Sequence, residues 1–119
     1  MKKNKISKNW LSKQRRDIYV RKSKLEGYRS RAIYKLKEID DKFKIIKNGI
    51  KVVDLGSAPG SWSQYLAEKS KNSKIVSIDL KKVDKIDKVH HLIGDFLDEK
   101  NKILISNFFQ DKLDLVVSD

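Results

Sequence analysis

An α/β fold on an open, parallel sheet is what this 119-residue sequence predicts, and three observations predict it. Short β-branched runs recur at Lys51–Leu55, Lys74–Asp79, His90–Ile93 and Leu113–Val117. The first of them passes through a glycine-containing turn into a helical stretch, Trp62 to Lys69. This strand–helix–strand alternation, at crossover spacing, argues for parallel βαβ units.

In chain order, residues 1–8 read as a frayed basic arm. From Asn9 to Leu25 the apolar residues Trp10, Ile18 and Leu25 are too sparse for a strong helical stripe, so only a weak helix is expected, interrupted at Gly27. Ser30 then suits an N-cap for a helix from Arg31 to Lys42. Ala32, Ile33, Leu36, Ile39 and Phe43 follow the i, i+3, i+4 rule along it. At about 100° per residue, Lys35 lies roughly 40° from Ile39, at the margin of that face. A lysine there either snorkels or reaches a site at the helix–sheet boundary. Asn48-Gly49 marks a turn before the first strand. The charge-alternating stretch Lys81–Lys88 reads as loop, and no internal repeat is present.

Composition narrows the function classes. One domain is the most this length supports, and 39% hydrophobic against 37% charged residues predicts a lean core. Without cysteine there is no disulfide framework and no thiolate ligand or nucleophile. No apolar run approaches the ~20 residues of a membrane span, and the basic N-terminus lacks a secretory h-region. A cytoplasmic protein without a membrane partner is expected. His90 and His91 have no partners at metal-ligand spacing, so no metal is expected.

The net charge of +12 is unevenly placed. Residues 1–51 hold 18 Lys/Arg and 5 Asp/Glu, whereas residues 52–119 hold 10 and 11. A general lysine bias would enrich both parts. The contrast divides the chain into a basic, mainly helical segment, 1–51, and a near-neutral α/β part, 52–119. A basic arm interleaved with Trp10, Tyr19, Tyr28 and Tyr34 is the footprint of a polyanion-binding surface, where a purely solvated tail would be aromatic-poor.

The turn Gly56-Ser-Ala-Pro-Gly60 carries the chemistry. Small residues at the carboxyl end of a first strand let a ligand lie against the backbone. The spacing is not GxGxxG, and no GK[ST] follows, so neither a dinucleotide pyrophosphate nor a nucleoside triphosphate is accommodated. A nucleoside-like ligand suits the loop. Asp79, nineteen residues after Gly60 at the end of the second strand, stands where a ribose diol is held. Asp95 can reach the base edge of such a ligand from the next loop. With Asp54 and Asp119, four acidic residues fall near the carboxyl ends of four predicted strands.

The run Asp54-Leu-Gly-Ser-Ala-Pro-Gly-Ser-Trp-Ser-Gln64, preceded by Arg29-Ser-Arg-Ala-Ile-Tyr-Lys-Leu36 and followed by Asp79, Gly94-Asp95-Phe96 and Ser118-Asp119, resembles the FtsJ-type ribosomal RNA 2′-O-ribose methyltransferases. The resemblance extends from Trp10 onward. It implies a Rossmann-like methyltransferase fold using S-adenosyl-L-methionine. The implied activity is 2′-O-methylation of a uridine ribose in 23S rRNA of the large ribosomal subunit, by a monomer. By the same resemblance Gly60 and Trp62 line the cofactor pocket, Asp79 takes the ribose hydroxyls, Asp95 the adenine, and Asp119 the methionine end. Lys35 and Asp119 match the first lysine and the aspartate of the family's Lys–Asp–Lys–Glu catalytic set. Ser61 stands where the family usually has a second glycine, which bears on the backbone after Gly60.

In such a family the sheet continues beyond a fourth strand, and the later lysine and glutamate lie past Asp119. A fold cut after that strand, without turnover of its own, is therefore expected. Leu113, Leu115, Val116 and Val117 would then form an uncovered edge. Two rivals remain: an RNA-binding module without chemistry, and a dinucleotide-dependent oxidoreductase, which the glycine spacing disfavours.

Overall fold

Val52 and Val53 are both fully buried, which requires cover on both faces of the strand that carries them. The computed structural model, which describes residues 2–110 and 112–119 with side chains from Ser7 onward, provides it. The elements run α1 (Lys2–Leu25), α2 (Ile33–Phe43), β1 (Lys51–Leu55), α3 (Ser61–Lys69), β2 (Lys74–Asp79), β3 (Val89–Ile93), α4 (Glu99–Phe109) and β4 (Leu115–Ser118). The four strands form one parallel sheet in the order β3-β2-β1-β4. Val52, Ile75 and Val117 face Ile33 and Leu36 of α2 and Trp62, Tyr65 and Leu66 of α3. Val53, Val76 and Ile78 face Ile105 and Phe109 of α4 on the other side. The parallel α/β class is therefore as expected.

Several elements differ from expectation. Helix α1 begins at Lys2, where a frayed arm was expected over residues 1–8; Met1 lies outside the described residues. Of Ser7–Leu25 only Ser23 is buried, so the sparse apolar pattern does report a helix without a core-facing stripe. Ser30 does not cap α2. The N-cap position is Ala32, with no side-chain cap, because the Ser30 hydroxyl is engaged with Ser61 Oγ at 2.8 Å.

Ile39 and Phe43 of α2 are 40% and 62% exposed, and Asp40 is buried with Ile33 and Leu36. Asp40 occupies the inward i+7 position from Ile33. Its carboxylate accepts from the Tyr65 hydroxyl at 2.9 Å and the Ile46 amide at 3.0 Å, which satisfies it inside. Helix α4, which the sequence pattern does not predict, starts on Asp98, whose side chain accepts from the Lys100 amide.

The expected uncovered edge is only partly so. Strand β4 begins at Leu115; Val117 is buried under α2 and α3, while Val116, on the α4 side, is 53% exposed. Alternation along the strand explains the difference. Lys81–Lys88 forms neither helix nor strand.

Candidate active site

Strand β1 connects outward to β2 on one side, whereas β4 returns to its other side. The carboxyl ends of β1 and β4 thus form the topological switch point, where open α/β sheets bind ligands. The loop after β1 rises there. Gly56 (φ 68°) turns the chain out of the strand, and its amide and that of Ser57 donate to the Ile78 carbonyl at 2.8 and 3.2 Å. The Ala58–Pro59 peptide is cis.

Asp79 is held rigidly beside this loop. One carboxylate oxygen accepts from the Ala58 amide at 2.9 Å and the other from the Lys81 amide at 2.8 Å. Asp79 and Asp95 both line one cavity of about 330 Å³, with Gly56, Leu80, Gly94 and Phe96. Asp95 Oδ1 accepts from the Leu97 amide at 2.9 Å. A narrower cleft of about 50 Å³ adjoins Gly56 on the side of Asp54, Ala58, Trp62 and Asp119. Gly56 is common to both spaces.

At Asp119, which lines the cleft, Lys35 Nζ pairs with the Oδ1 oxygen at 3.0 Å; the side chains are 63% and 36% exposed. Lys35 thus reaches the sheet boundary, the second of the two placements its helical position allows. Asp54 lies deeper, 1% exposed within β1, and accepts from the Ser63 hydroxyl at 2.8 Å. Burial pushes its carboxyl up to about 6, opposed by its bonds from Ser63 and reinforced by the Asp119 and Asp79 carboxylates. Asp54 and Asp119 line the cleft, and Asp79 is bonded to the Ala58 amide of its wall, an arrangement of carboxylates that favours a cationic ligand group.

Trp62 borders the cleft but is mostly buried, its indole N–H donating to the Ala32 carbonyl at 2.7 Å. Gly60 borders neither space. A Cβ there would meet Arg29 Nη1 at 2.9 Å, Ile86 Cδ1 at 3.0 Å and Val83 Cγ1 at 3.2 Å, and its φ of 118° favours glycine. Ser61 begins α3 and is outside the positive-φ residues, so no second glycine is needed at that place.

Sequence reasoning missed Gly56 as a lining residue of both spaces, although its place in the turn pointed to it. It also missed Arg29, whose partners are main-chain carbonyls and leave no sequence signal. Among the described residues no group of His, Asp and Glu is gathered as a metal site, and no helix is long and apolar enough to cross a membrane.

The family model for FtsJ-like methyltransferases matches residues 28–119. The chain belongs to the FtsJ-like methyltransferase family. Among FtsJ-like relatives, a protein of Pelagibacter ubique named ribosomal RNA large subunit methyltransferase E is 56% identical over the whole of this chain and 59% of its own length. A protein of the same name from Legionella pneumophila (strain Corby) is 49% identical, again over 100% of this chain and 59% of its own. The chain thus spans about three fifths of the length of these relatives. A crystal structure of a ribosomal RNA methyltransferase from Plasmodium falciparum superposes with a TM-score of 0.71 at 37% identity, covering 77% of this chain and 56% of that one. The FtsJ-like match begins after α1, so the most basic helix lies outside it.

Proposed function

We propose that this chain holds the S-adenosylmethionine site of a cytoplasmic enzyme that methylates the 2′-oxygen of a uridine ribose in 23S rRNA. The observation that carries the reading is the placement of Asp54 and Asp119 in the cleft beside the loop after β1, with Asp79 bonded to that loop's Ala58 amide and Lys35 bound to Asp119. The donor set suits the cofactor: carboxylates for a sulfonium and an ammonium, small loop residues for close approach, and a cavity between two acidic side chains for a nucleoside. Bound there, the cofactor supplies an electrophilic methyl group.

The protein's own residues would bind and orient. Asp79, already fixed by two amides, keeps free lone pairs for ribose hydroxyls. Asp95 would read the adenine edge across the same cavity. Asp119 would face the methionine end, and Lys35, fixed on it, would hold the incoming ribose hydroxyl in line. Trp62 would form the cleft wall, and Gly60 would allow the loop to pack on its supports rather than touch the ligand. The basic segment 1–51 would face RNA. The ribosomal RNA activity named for the relatives and the excess of 18 Lys/Arg over 5 Asp/Glu in that segment support this partner.

Calorimetric titration tests the cofactor site. The chain is expected to bind S-adenosylmethionine and not NAD. Asp79→Ala is expected to weaken the former by about tenfold or more, the loss of hydrogen bonds to a charged acceptor. NAD binding of equal strength, or an indifferent Asp79→Ala variant, would overturn the reading. An RNA-binding module without chemistry would instead bind RNA and give no heat with S-adenosylmethionine.

A further inference from the structure

The Arg29 guanidinium has no carboxylate partner among the described residues. Its Nη1 donates to the Pro59 carbonyl at 3.0 Å and the Asp84 carbonyl at 2.7 Å, and its Nη2 donates to the Lys85 carbonyl at 3.1 Å. Its backbone amide donates to Gln64 Oε1 at 2.9 Å, and Gln64 Nε2 donates to the Gly27 carbonyl at 3.2 Å. One side chain thereby joins the segment before α2, the loop after β1 and the β2–β3 connection. A planar fork with five fixed donors can bridge three carbonyls in this way; a lysine ammonium, a point charge on a flexible stem, cannot hold the same spread.

The connection that Arg29 grips is also fastened from beneath. The Ile86 amide donates to His91 Nε2 at 3.0 Å, His91 Nδ1 lies 3.2 Å from Ser77 Oγ, and Ser77 Oγ lies 2.6 Å from Ser57 Oγ. Ser57 is the second residue of the same loop. Val83, Ile86 and Arg29 all pack where Gly60 lacks a side chain. The loop from Gly56 to Ala58 is therefore backed by Arg29, Ser77, Ile86 and His91, none of which lines either cavity.

We propose that Arg29 is a positioning residue for the cofactor: through Pro59 and the Asp84–Lys85 carbonyls it holds the loop so that the Ala58 amide and Asp79 stay in register. The inference deepens the cofactor reading above and rests on it for the ligand, but not for the brace. Two variants, Arg29→Lys and Arg29→Ala, test it on the full chain. Amide hydrogen exchange, without ligand, is the first readout. Exchange at Ala58 and Ile86 is expected to rise together in both variants by about tenfold or more, the worth of charge-assisted bonds. Calorimetry with S-adenosylmethionine is the second, with a matching loss of affinity in Arg29→Lys while affinity for a single-stranded RNA oligonucleotide stays within about twofold, the charge being kept. Millimolar guanidinium is expected to restore part of the Arg29→Ala loss and none of that in Asp79→Ala.

Unchanged exchange at Ala58 and Ile86 in Arg29→Lys would overturn the proposal. So would a fall in RNA affinity with cofactor affinity intact, which would make Arg29 a phosphate-binding residue. If the parent chain binds no S-adenosylmethionine yet exchange at both amides still rises together, the cofactor reading fails and the brace stands.

Discussion

Asp54, which lines the cleft, and His91, which supports the β2–β3 connection, respond to acid in opposite senses. Burial holds the Asp54 carboxyl up at about 6, against 3.8 when unfolded, so the folded chain keeps that proton more tightly. The stabilisation is complete below pH 3.8 and is lost as pH rises through about 6. Asp54→Asn, which keeps an acceptor for Ser63, is therefore expected to gain stability over the parent at pH 7.5, by up to about 3 kcal/mol, with the gain vanishing near pH 4. Denaturant melts of both proteins at the two pH values check this. For His91, burial first, then the Arg29 guanidinium and His90, lower the ring's affinity for a proton below the ordinary 6.5. The unfolded chain then binds the proton more readily, so stability is lost as pH falls below 6.5. The ring nitrogen that accepts from Ile86 must also stay unprotonated. His91→Asn is expected to flatten the parent's loss of stability on the acid side of 6.5, read from thermal midpoints at pH 7.5 and 5.5.

Among the elements, α4 depends on a single side-chain cap. Asp98→Ala should cost about 1 kcal/mol in a urea melt, the usual worth of an N-cap carboxylate. Strand positions were readable because β-branched runs bounded by turn residues leave few alternatives, and the bounds of β1 and β2 coincide with those runs. Helix α4 was not read because its first turn is charged and polar, although Asp98 carried a capping signal. The inward face of α2 was misread at Ile39 and Asp40 because the partner that satisfies Asp40 is Tyr65, on another helix and invisible to local pattern. Lys35 was half legible: a lysine at the margin of an apolar face has two places to go, and the acid that decides between them directly follows a strand 84 residues on. The surroundings of Gly60 and Arg29 were not, since a glycine in a turn reads alike whether a ligand or a neighbouring side chain occupies the space beside it.

At the scale of the whole molecule, charge and core are separated. Helix α1 holds ten Lys/Arg and one Asp over 24 residues, and only Ser23 of its described side chains is buried. A helix that is polar all round draws little stability from packing. Replacing Lys13, Arg15 and Arg16 by alanine should leave cofactor affinity and the thermal midpoint of the sheet unchanged. The same change should flatten the slope of log K against log salt for RNA by about 0.7 to 0.9 for each phosphate no longer neutralised. A filter-binding series over salt concentration reads the slope directly.

The strand order has a consequence in time. Because β4 lies against β1 rather than beside β3, the Lys35–Asp119 pair joins residues 84 positions apart in the chain. During synthesis the Lys35 side emerges first, the loop after β1 follows, and the carboxylate partner comes 84 residues after the lysine. Every residue lining the cavity that Asp79 and Asp95 share precedes α4, so that cavity's whole lining is synthesised before the fourth strand. The narrower cleft gains its Asp119 wall only behind the fourth strand, so of the two spaces beside the β1 loop it is the later to be completed.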